Sequence, residues 1–266
     1  MPKIRIDKLI MYYEKHGAGD SLVLITGLGS NATIWFRQVP ALSEHYQLLT
    51  FDNRGSGRTA KPQYEYRISE MAYDTRHLMD AVAMEPAHVF GFSMGGMIAQ
   101  ELAIRYPDSV KSLVLGCTFS GGQEMVGYRR PAGPGVESFE ESMEASWRLL
   151  YSEEFIAGNK DMLMERARTL AELRPEPEFF ERQVGAITRH DTFDRLPQIK
   201  VPTLIITGDA DLLMPARNST ILHERIPNSE LVTIAGAGHY FFIEKAEETN
   251  AHILRFLHSV EAGGSV

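Results

Sequence analysis

The stretch His88–Met97 reads HVFGFSMGGM, a short apolar run that leads into a serine enclosed by glycines. Ser93 lies between Gly91 and Gly95, which gives the pattern G-x-S-x-G. The apolar residues before the serine predict a strand, and those after it predict a helix. Glycines on both sides permit a very tight turn, because a side chain there would collide with neighbouring backbone. The pattern therefore predicts a serine hydroxyl held free above the end of a strand.

Further apolar runs resemble the one before Ser93, and helical periodicity fills the gaps between them. The candidate parallel strands are residues 21–26, 47–52, 88–93, 112–117, 203–208 and 230–235, and the helical stretches include residues 68–84, 96–106 and 247–260. Residues 4–6 and 10–13 predict two short strands joined by a turn. Because strands alternate with helices, we expect an α/β fold: a mainly parallel, twisted sheet with helices on both faces.

The alternation breaks between residues 119 and 190, where no strong strand pattern occurs. Residues 139–151 and 160–173 have helical spacing, and the Pro- and Gly-rich residues 129–137 predict a loop. We expect a helical cap inserted over the carboxyl edge of the sheet, where α/β folds bind ligands. The predicted core is then formed by residues 1–118 and 191–266, with the cap at residues 119–190.

Composition excludes several classes of partner. The formal charge of −8 disfavours nucleic acid and anionic membranes, since both require clustered Lys and Arg. No apolar run reaches the roughly 18 residues of a membrane-spanning helix. Cys117 is the single cysteine, and no Cys/His cluster has metal-ligand spacing. Since the N-terminal residues also lack a signal-peptide pattern, we expect a cytoplasmic protein without a metal or an organic cofactor.

A serine nucleophile needs a base to accept its proton and a carboxylate to orient that base. Asp209 and Asp211 directly follow the strand at residues 203–208, and His239 follows the strand at residues 230–235. The carboxyl ends of parallel strands share one edge of the sheet, so these side chains can converge with Ser93. Position along the chain leaves both aspartates open as the acid.

The motifs taken together resemble the α/β-hydrolase family over almost the whole chain, and small bacterial serine esterases and enol-lactonases most closely. The motifs are LITGLG (24–29), FDNRGSGRT (51–59), GFSMGG (91–96), GDADLLMP (208–215) and GAGH (236–239). The resemblance implies a catalytic triad of Ser93, Asp211 and His239. It also implies an oxyanion hole formed by the backbone N–H groups of Leu28 and Met94. One departure is Thr26, because the family commonly has histidine there.

Aromatic and methionine residues beside the motifs and in the predicted cap are candidates for the substrate pocket. They are Trp35, Trp147, Met125, Tyr240 and Phe241. Each residue type is equally at home in a core, so packing is the competing interpretation. For His190, which stands beside Asp191, we favour a structural role, because it precedes the strand at residues 203–208. Asp52 and Arg54 are interpreted in the same way, as residues that tie loops together.

The predicted activity is hydrolysis of a small-to-medium carboxylic ester or lactone through an acyl-enzyme on Ser93. Three alternatives use the same fold: a carbon–carbon bond hydrolase of ring-fission products, a cofactor-free perhydrolase or haloperoxidase, and a ligand receptor without turnover. The expected partner is a small-molecule ester or lactone. The sequence does not fix the oligomeric state.

Overall fold

One mixed sheet forms the centre of the computed structural model, which describes residues 2–127 and 139–264. Its strands are β1 (Lys3–Ile6), β2 (Leu9–His16), β3 (Ser21–Ile25), β4 (Gln47–Phe51), β5 (Ala87–Phe92), β6 (Val110–Gly116), β7 (Thr203–Gly208) and β8 (Ser229–Ile234). They lie in the order β1-β2-β4-β3-β5-β6-β7-β8. The first two pairings are antiparallel and the remaining ones are parallel. The predicted parallel strands and the N-terminal pair are confirmed.

Helices cover both faces of this sheet, as predicted. They are α1 (Gln38–Leu42), α2 (Ile68–Ala81), α3 (Met94–Arg105), α4 (Phe139–Leu150), α5 (Glu153–Ala171), α6 (Pro177–Thr188), α7 (Arg217–Arg225), α8 (Phe241–Glu244) and α9 (Ala246–Glu261). Side chains alternate along each strand, so Val23 joins the buried cluster that contains α2, α3 and α7, whereas Leu22 and Leu24 join the cluster of α1, α8 and α9. The sheet therefore has an apolar core on each side.

Two helix boundaries differ from the prediction for identifiable reasons. The helix α2 ends at Ala81 rather than residue 84, because Ala83 has a φ of 55° and leaves the helical conformation. The helix α5 begins at Glu153, where the Ser152 hydroxyl accepts a hydrogen bond of 3.2 Å from the Phe155 amide. Asn159 interrupts α5 with non-helical angles, so the sequence periodicity detected only its second part.

The stretch that we call the inserted segment, residues 119–190, lies between β6 and β7 and contains α4, α5 and α6. Trp147, Leu163 and Ala167 form a small buried cluster of its own between α4 and α5. An isolated antiparallel bridge pairs Gly121 with Asp191 at the base of the segment. The loop predicted at residues 129–137 lies outside the described residues. In the parts of the chain that the structure describes, no helix has an apolar stretch that could cross a bilayer.

Candidate active site

The turn between β5 and α3 places Ser93 in a strained conformation, with φ 55° and ψ −120°. A Cβ atom at Gly91 would lie 2.3 Å from the Gly95 carbonyl oxygen, and one at Gly95 would lie 2.1 Å from the carbonyl oxygen of Ile25. Both positions are therefore closed to any side chain. The backbone of Ser93 is held by a hydrogen bond of 2.8 Å from the Thr118 hydroxyl to its carbonyl oxygen. The fold thus presents the serine at the carboxyl end of a central strand.

His239 and Asp211 form a buried hydrogen-bonded pair at the same edge of the sheet. The distance from Nδ1 of His239 to Oδ2 of Asp211 is 2.7 Å. The other carboxylate oxygen accepts hydrogen bonds from the amides of Leu213 (2.9 Å) and Met214 (2.8 Å). These amides fix the carboxylate plane. Because an ionised carboxylate can only accept, Nδ1 carries the proton and Nε2 is left as an acceptor.

Asp209 has a different role from Asp211, although only one residue separates them. Its side chain is exposed, and its Oδ1 accepts a hydrogen bond of 2.7 Å from the Gly236 amide. This bond ties the loop after β7 to the loop after β8. The geometry therefore selects Asp211 as the partner of His239, as the family pattern implies.

The aromatic ring of Phe92 connects the serine turn with the histidine. Phe92 immediately precedes Ser93, and its ring centroid lies 4.8 Å from that of His239. Within the same neighbourhood, one ligand atom each of Cys117, Asp211 and His239 lies within 4.8 Å of the others. Burial, together with the charge of Asp211, raises the pKa of the Cys117 thiol well above its usual value.

The loop after β3 passes directly beside the nucleophile turn. A Cβ atom at Gly27 would lie 3.2 Å from Cβ of Ser93. The next residue, Leu28, and the first residue of α3, Met94, both have backbone amides without an acceptor within the described residues. Free amides at a helix N-terminus and in an adjacent loop are well suited to binding a negatively charged oxygen.

Asn53 supports this loop from the turn after β4. Its Nδ2 atom donates to the carbonyl oxygen of Thr26 at 3.0 Å and to the Thr26 hydroxyl at 3.1 Å. Both residues are buried. The family commonly has histidine at the position of Thr26. In this chain the loop is held instead by the amide side chain of Asn53. The sequence analysis did not identify Asn53, because an Asn in a Gly-rich turn is typical of turn formation alone.

Gln183 in α6 supports the loop from the other side and is completely buried. Its Oε1 accepts a hydrogen bond of 2.9 Å from the Gly29 amide. Its Nε2 donates to the Arg54 carbonyl oxygen and to the Ser56 hydroxyl, both at 2.9 Å. The inserted segment is therefore hydrogen-bonded to the loop that carries Leu28. The sequence did not indicate this role of Gln183, since a glutamine in an amphipathic helix usually faces solvent.

Two of the predicted pocket residues are corrected by their positions. Trp35 and Phe241 have no exposed surface and pack into the core beneath the sheet, where Trp35 contacts Phe90 and Phe242 at ring distances of 5.0 and 5.1 Å. Neither can touch a substrate from there. Trp35 and Phe241 instead cover the face of the sheet that packs against α1, α8 and α9.

The other three predicted pocket residues have different surroundings. Trp147 belongs to the small cluster of α4 and α5, and Met125 is partly buried against the core. Tyr240 is half-buried and stacks near His239, with ring centroids 5.9 Å apart. Tyr151, which the sequence analysis missed, contacts Tyr240 at 5.2 Å. Tyr240 therefore contacts His239 on one side and Tyr151 of the inserted segment on the other.

The residues interpreted as structural have structural contacts. Asp52 accepts a hydrogen bond of 2.8 Å from the Ala32 amide, and Arg54 forms a buried, bidentate pair with Asp74 at 2.6 and 2.7 Å. His190 is buried, its Nε2 lies 3.4 Å from the Thr192 hydroxyl, and burial lowers its pKa to about 4. None of these groups is paired with His239.

Comparison with known proteins assigns the chain to one family. The family model described as alpha/beta hydrolase fold matches residues 20–145 and 177–246. The chain therefore belongs to the alpha/beta hydrolase fold family, as the motifs predicted. A relative named putative carbamate hydrolase RutD, from Azorhizobium caulinodans, is 30% identical over 260 residues, which cover 94% of this chain and 96% of the relative.

Two solved structures extend the comparison. The enol-lactonase from Burkholderia xenovorans LB400 is similar, with a TM-score of 0.86 and 26% identity over 97% of this chain and 100% of that chain. Est816, described as an N-acyl homoserine lactone degrading enzyme, has a TM-score of 0.82 and 26% identity over 96% of this chain and 99% of that chain. The resemblance to small hydrolases and lactonases is confirmed.

Proposed function

We propose that the protein is a serine hydrolase that cleaves a small-to-medium carboxylic ester or lactone. The observation that carries the proposal is the buried hydrogen bond between Asp211 and His239, at the same sheet edge as the strained Ser93. A histidine held in the Nδ1–H tautomer presents Nε2 as a base. The similarity to an enol-lactonase and to a lactone-degrading enzyme supports a cyclic or open ester as substrate.

The proposed reaction has two halves. In the first, Nε2 of His239 accepts the proton of Ser93 while Oγ attacks the carbonyl carbon, and the tetrahedral intermediate collapses when the same proton passes to the leaving alkoxide. In the second, His239 accepts a proton from water as the water attacks the acyl-enzyme, and it returns that proton to Oγ of Ser93 when the acid leaves. Asp211 stabilises the imidazolium in both halves. The amides of Leu28 and Met94 donate to the negatively charged oxygen.

The inserted segment is proposed to act as the cap over this site. Its contacts support that role: the Tyr240 amide donates to the Leu150 carbonyl oxygen at 2.8 Å, and Arg166 donates to the carbonyl oxygen of Thr33. Phe180 covers Gly29, where a Cβ atom would meet its ring at 3.0 Å. All three contacts fall on loops at the carboxyl edge of the sheet. A cap there would limit the size of the substrate and exclude water during the first half-reaction.

Carbamate hydrolysis is a second candidate, and the similarity to a putative carbamate hydrolase over nearly the full length of both chains favours it. A carbamate carbonyl can be attacked by the same serine and stabilised by the same two amides. The intermediate would be a carbamoyl-enzyme, which water attacks more slowly than an ester because nitrogen donates electrons into the carbonyl. The two candidates thus differ in which substrate turns over faster.

Rates on a matched set of substrates test the proposal. We expect wild-type protein to hydrolyse p-nitrophenyl acetate, p-nitrophenyl butyrate or a simple lactone with multiple turnovers, and Ser93→Ala to lose about 10³-fold or more of that rate. Ser43→Ala, far from the site, is the control and should keep the wild-type rate. Faster turnover of an N-alkyl p-nitrophenyl carbamate would favour the second candidate. Near-normal rates in Ser93→Ala would refute both.

A further inference from the structure

Arg166, in the second part of α5, is a half-buried cation without a carboxylate in direct contact among the residues that the structure describes. Its Nη2 atom donates to the carbonyl oxygen of Thr33, and this is its single hydrogen bond in that part of the chain. The adjacent Glu165 is exposed and interacts with the guanidinium at longer range, without forming an ion pair. By contrast, Arg182 of the same inserted segment lies 3.7 Å from Glu178. The charge of Arg166 therefore lacks a close counter-charge from the described protein.

The surroundings of this guanidinium remove part of its hydration without supplying a negative charge. Its carbon atom lies 4.2 Å from the centre of the Phe36 ring. Nε is buried without a hydrogen-bond partner in the described residues, and burial lowers the pKa of Arg166 below its usual value. Nη1 has no partner there either, but it is not buried. Because a partly desolvated cation costs free energy, an anionic group that reached Nη1 would bind favourably.

Arg166 lies where the inserted segment meets the candidate active site. Its contact Thr33 comes shortly after the loop that follows β3. Within the inserted segment its charge acts on Tyr151, whose ring lies 5.2 Å from that of Tyr240, the residue after His239. The guanidinium is therefore held between the proposed oxyanion loop and the aromatic residues beside the histidine.

We propose that Arg166 binds a carboxylate group of the substrate, so that the preferred ester or lactone is an anion. The proposal rests on the proposed hydrolase function, because it names the substrate class of that same site. Most N–H donors of this guanidinium are unused, and two parallel N–H groups match the two oxygens of a planar carboxylate.

The charge of the protein favours a carboxylate over a phosphate ester as this group. One guanidinium neutralises one carboxylate, whereas a phosphate dianion would keep a negative charge beside a chain whose formal charge is −8. A carboxylate is also the smaller group to desolvate beneath a cap. The reacting carbonyl of the substrate is then separate from the carboxylate that Arg166 holds.

Matched pairs of substrates test the proposal. We would use the mono-p-nitrophenyl esters of adipic, pimelic and suberic acid, each compared with the neutral compound in which the far carboxylate is methylated. Release of p-nitrophenol, corrected for the uncatalysed rate, gives kcat/KM for both. We expect wild-type protein to prefer the anionic member of at least one pair by about tenfold or more, since a charge-assisted contact is gained.

Variants of α5 assign that preference to one residue. Arg166→Gln should lower the anionic-to-neutral ratio of kcat/KM by about tenfold, mainly through KM, and Arg166→Lys should keep part of it because the charge remains. The control Arg168→Gln removes an exposed arginine two positions along α5 and should keep the wild-type ratio. Equal losses on both members of a pair would show that Arg166 only ties α5 to Thr33, and would overturn the proposal. A preference for the anion that survives in Arg166→Gln would also overturn it.

A binding measurement separates this proposal from the hydrolase assignment. Calorimetric titration of Ser93→Ala with the monomethyl ester of the best diacid should show saturable binding, about tenfold weaker when Arg166→Gln is added. Equal affinity in these two proteins would overturn the carboxylate site, whether or not the wild type hydrolyses esters. Absence of ester hydrolysis by the wild type, with that difference in affinity intact, would refute the hydrolase function and leave the carboxylate site supported.

Discussion

At the residue scale, the division of roles between two neighbouring aspartates is the most specific feature of the site. Asp211 faces Nδ1 of His239, whereas Asp209 holds the Gly236 amide. We expect Asp211→Asn to lower kcat/KM for the best ester by about 10³-fold or more, because an amide no longer enforces the Nδ1–H tautomer or stabilises the imidazolium.

The matched variant Asp209→Asn should keep most of the activity, since an amide oxygen can still accept from Gly236. Initial rates of both variants at saturating and limiting substrate give the comparison. A larger loss of kcat/KM in Asp209→Asn than in Asp211→Asn would show that Asp209, and not Asp211, is the acid of the triad.

A second residue-scale prediction concerns acid stability. Burial depresses the pKa of His190 from 6.5 to about 4, so the unfolded chain takes up a proton between these values while the folded protein does not. Stability from this group is complete above pH 6.5 and falls as the pH approaches 4. The full shift corresponds to about 3 kcal/mol.

Urea unfolding at several pH values measures this effect. We expect the free energy of unfolding of His190→Gln to fall less steeply than that of wild type as the pH is lowered from 6.5 to 4. Parallel slopes in the two proteins would mean that His190 is not the group responsible.

The sequence predicted single residues well where a motif restricts them. Gly91 and Gly95 leave no room for a side chain, so glycine at both positions predicts the tight turn. Trp35 and Phe241 were placed wrongly at the substrate pocket, because a large apolar residue fits a core and a pocket equally well. Asn53 was missed for a similar reason, since its bond to Thr26 depends on a contact between two separate loops.

At the element scale, the Gln183 side chain hydrogen-bonds α6 to the loop after β3, which is the proposed oxyanion loop. The three hydrogen bonds of Gln183 fix Gly29 relative to the turn at residues 54–56. We expect Gln183→Ala to lower kcat for ester hydrolysis by about tenfold with a smaller change in KM, because the Leu28 amide is no longer held for the transition state.

Gln100→Ala is the matched control for this variant. Gln100 is equally buried and also joins two elements, through Phe119 and Thr192, but its hydrogen bonds do not reach the oxyanion loop. Both variants should be destabilised to a similar degree, and kcat should fall in Gln183→Ala alone. Equal losses of kcat would reduce Gln183 to a purely structural residue.

Element types were easier to predict than element ends. The parallel strands are buried on both faces and read as continuous apolar runs, so their ends were predicted within two residues. The kink at Asn159 and the early stop of α2 at Ala81 depend on local backbone angles that hydrophobic spacing does not encode. Gln183 lies among polar residues of α6 and was not predicted, because hydrophobic periodicity does not distinguish an amide exposed to solvent from a buried, hydrogen-bonded one.

At the scale of the whole molecule, the sheet topology explains why the site could be anticipated. The loops after β3, β5, β7 and β8 all leave the same edge, because these strands run parallel in one sheet. Residues more than a hundred positions apart are thereby brought together. How the inserted segment packs on that edge could not be predicted, since it depends on individual contacts such as that of Phe180 with Gly29.

The central claim is that Ser93 is a nucleophile activated by His239, and covalent labelling tests it most directly. We expect intact-protein mass spectrometry after treatment with a fluorophosphonate to show one phosphonyl adduct, located on the peptide that contains Ser93. His239→Ala should label far more slowly and Ser93→Ala not at all. An adduct on another residue, or undiminished labelling of Ser93→Ala, would contradict the account.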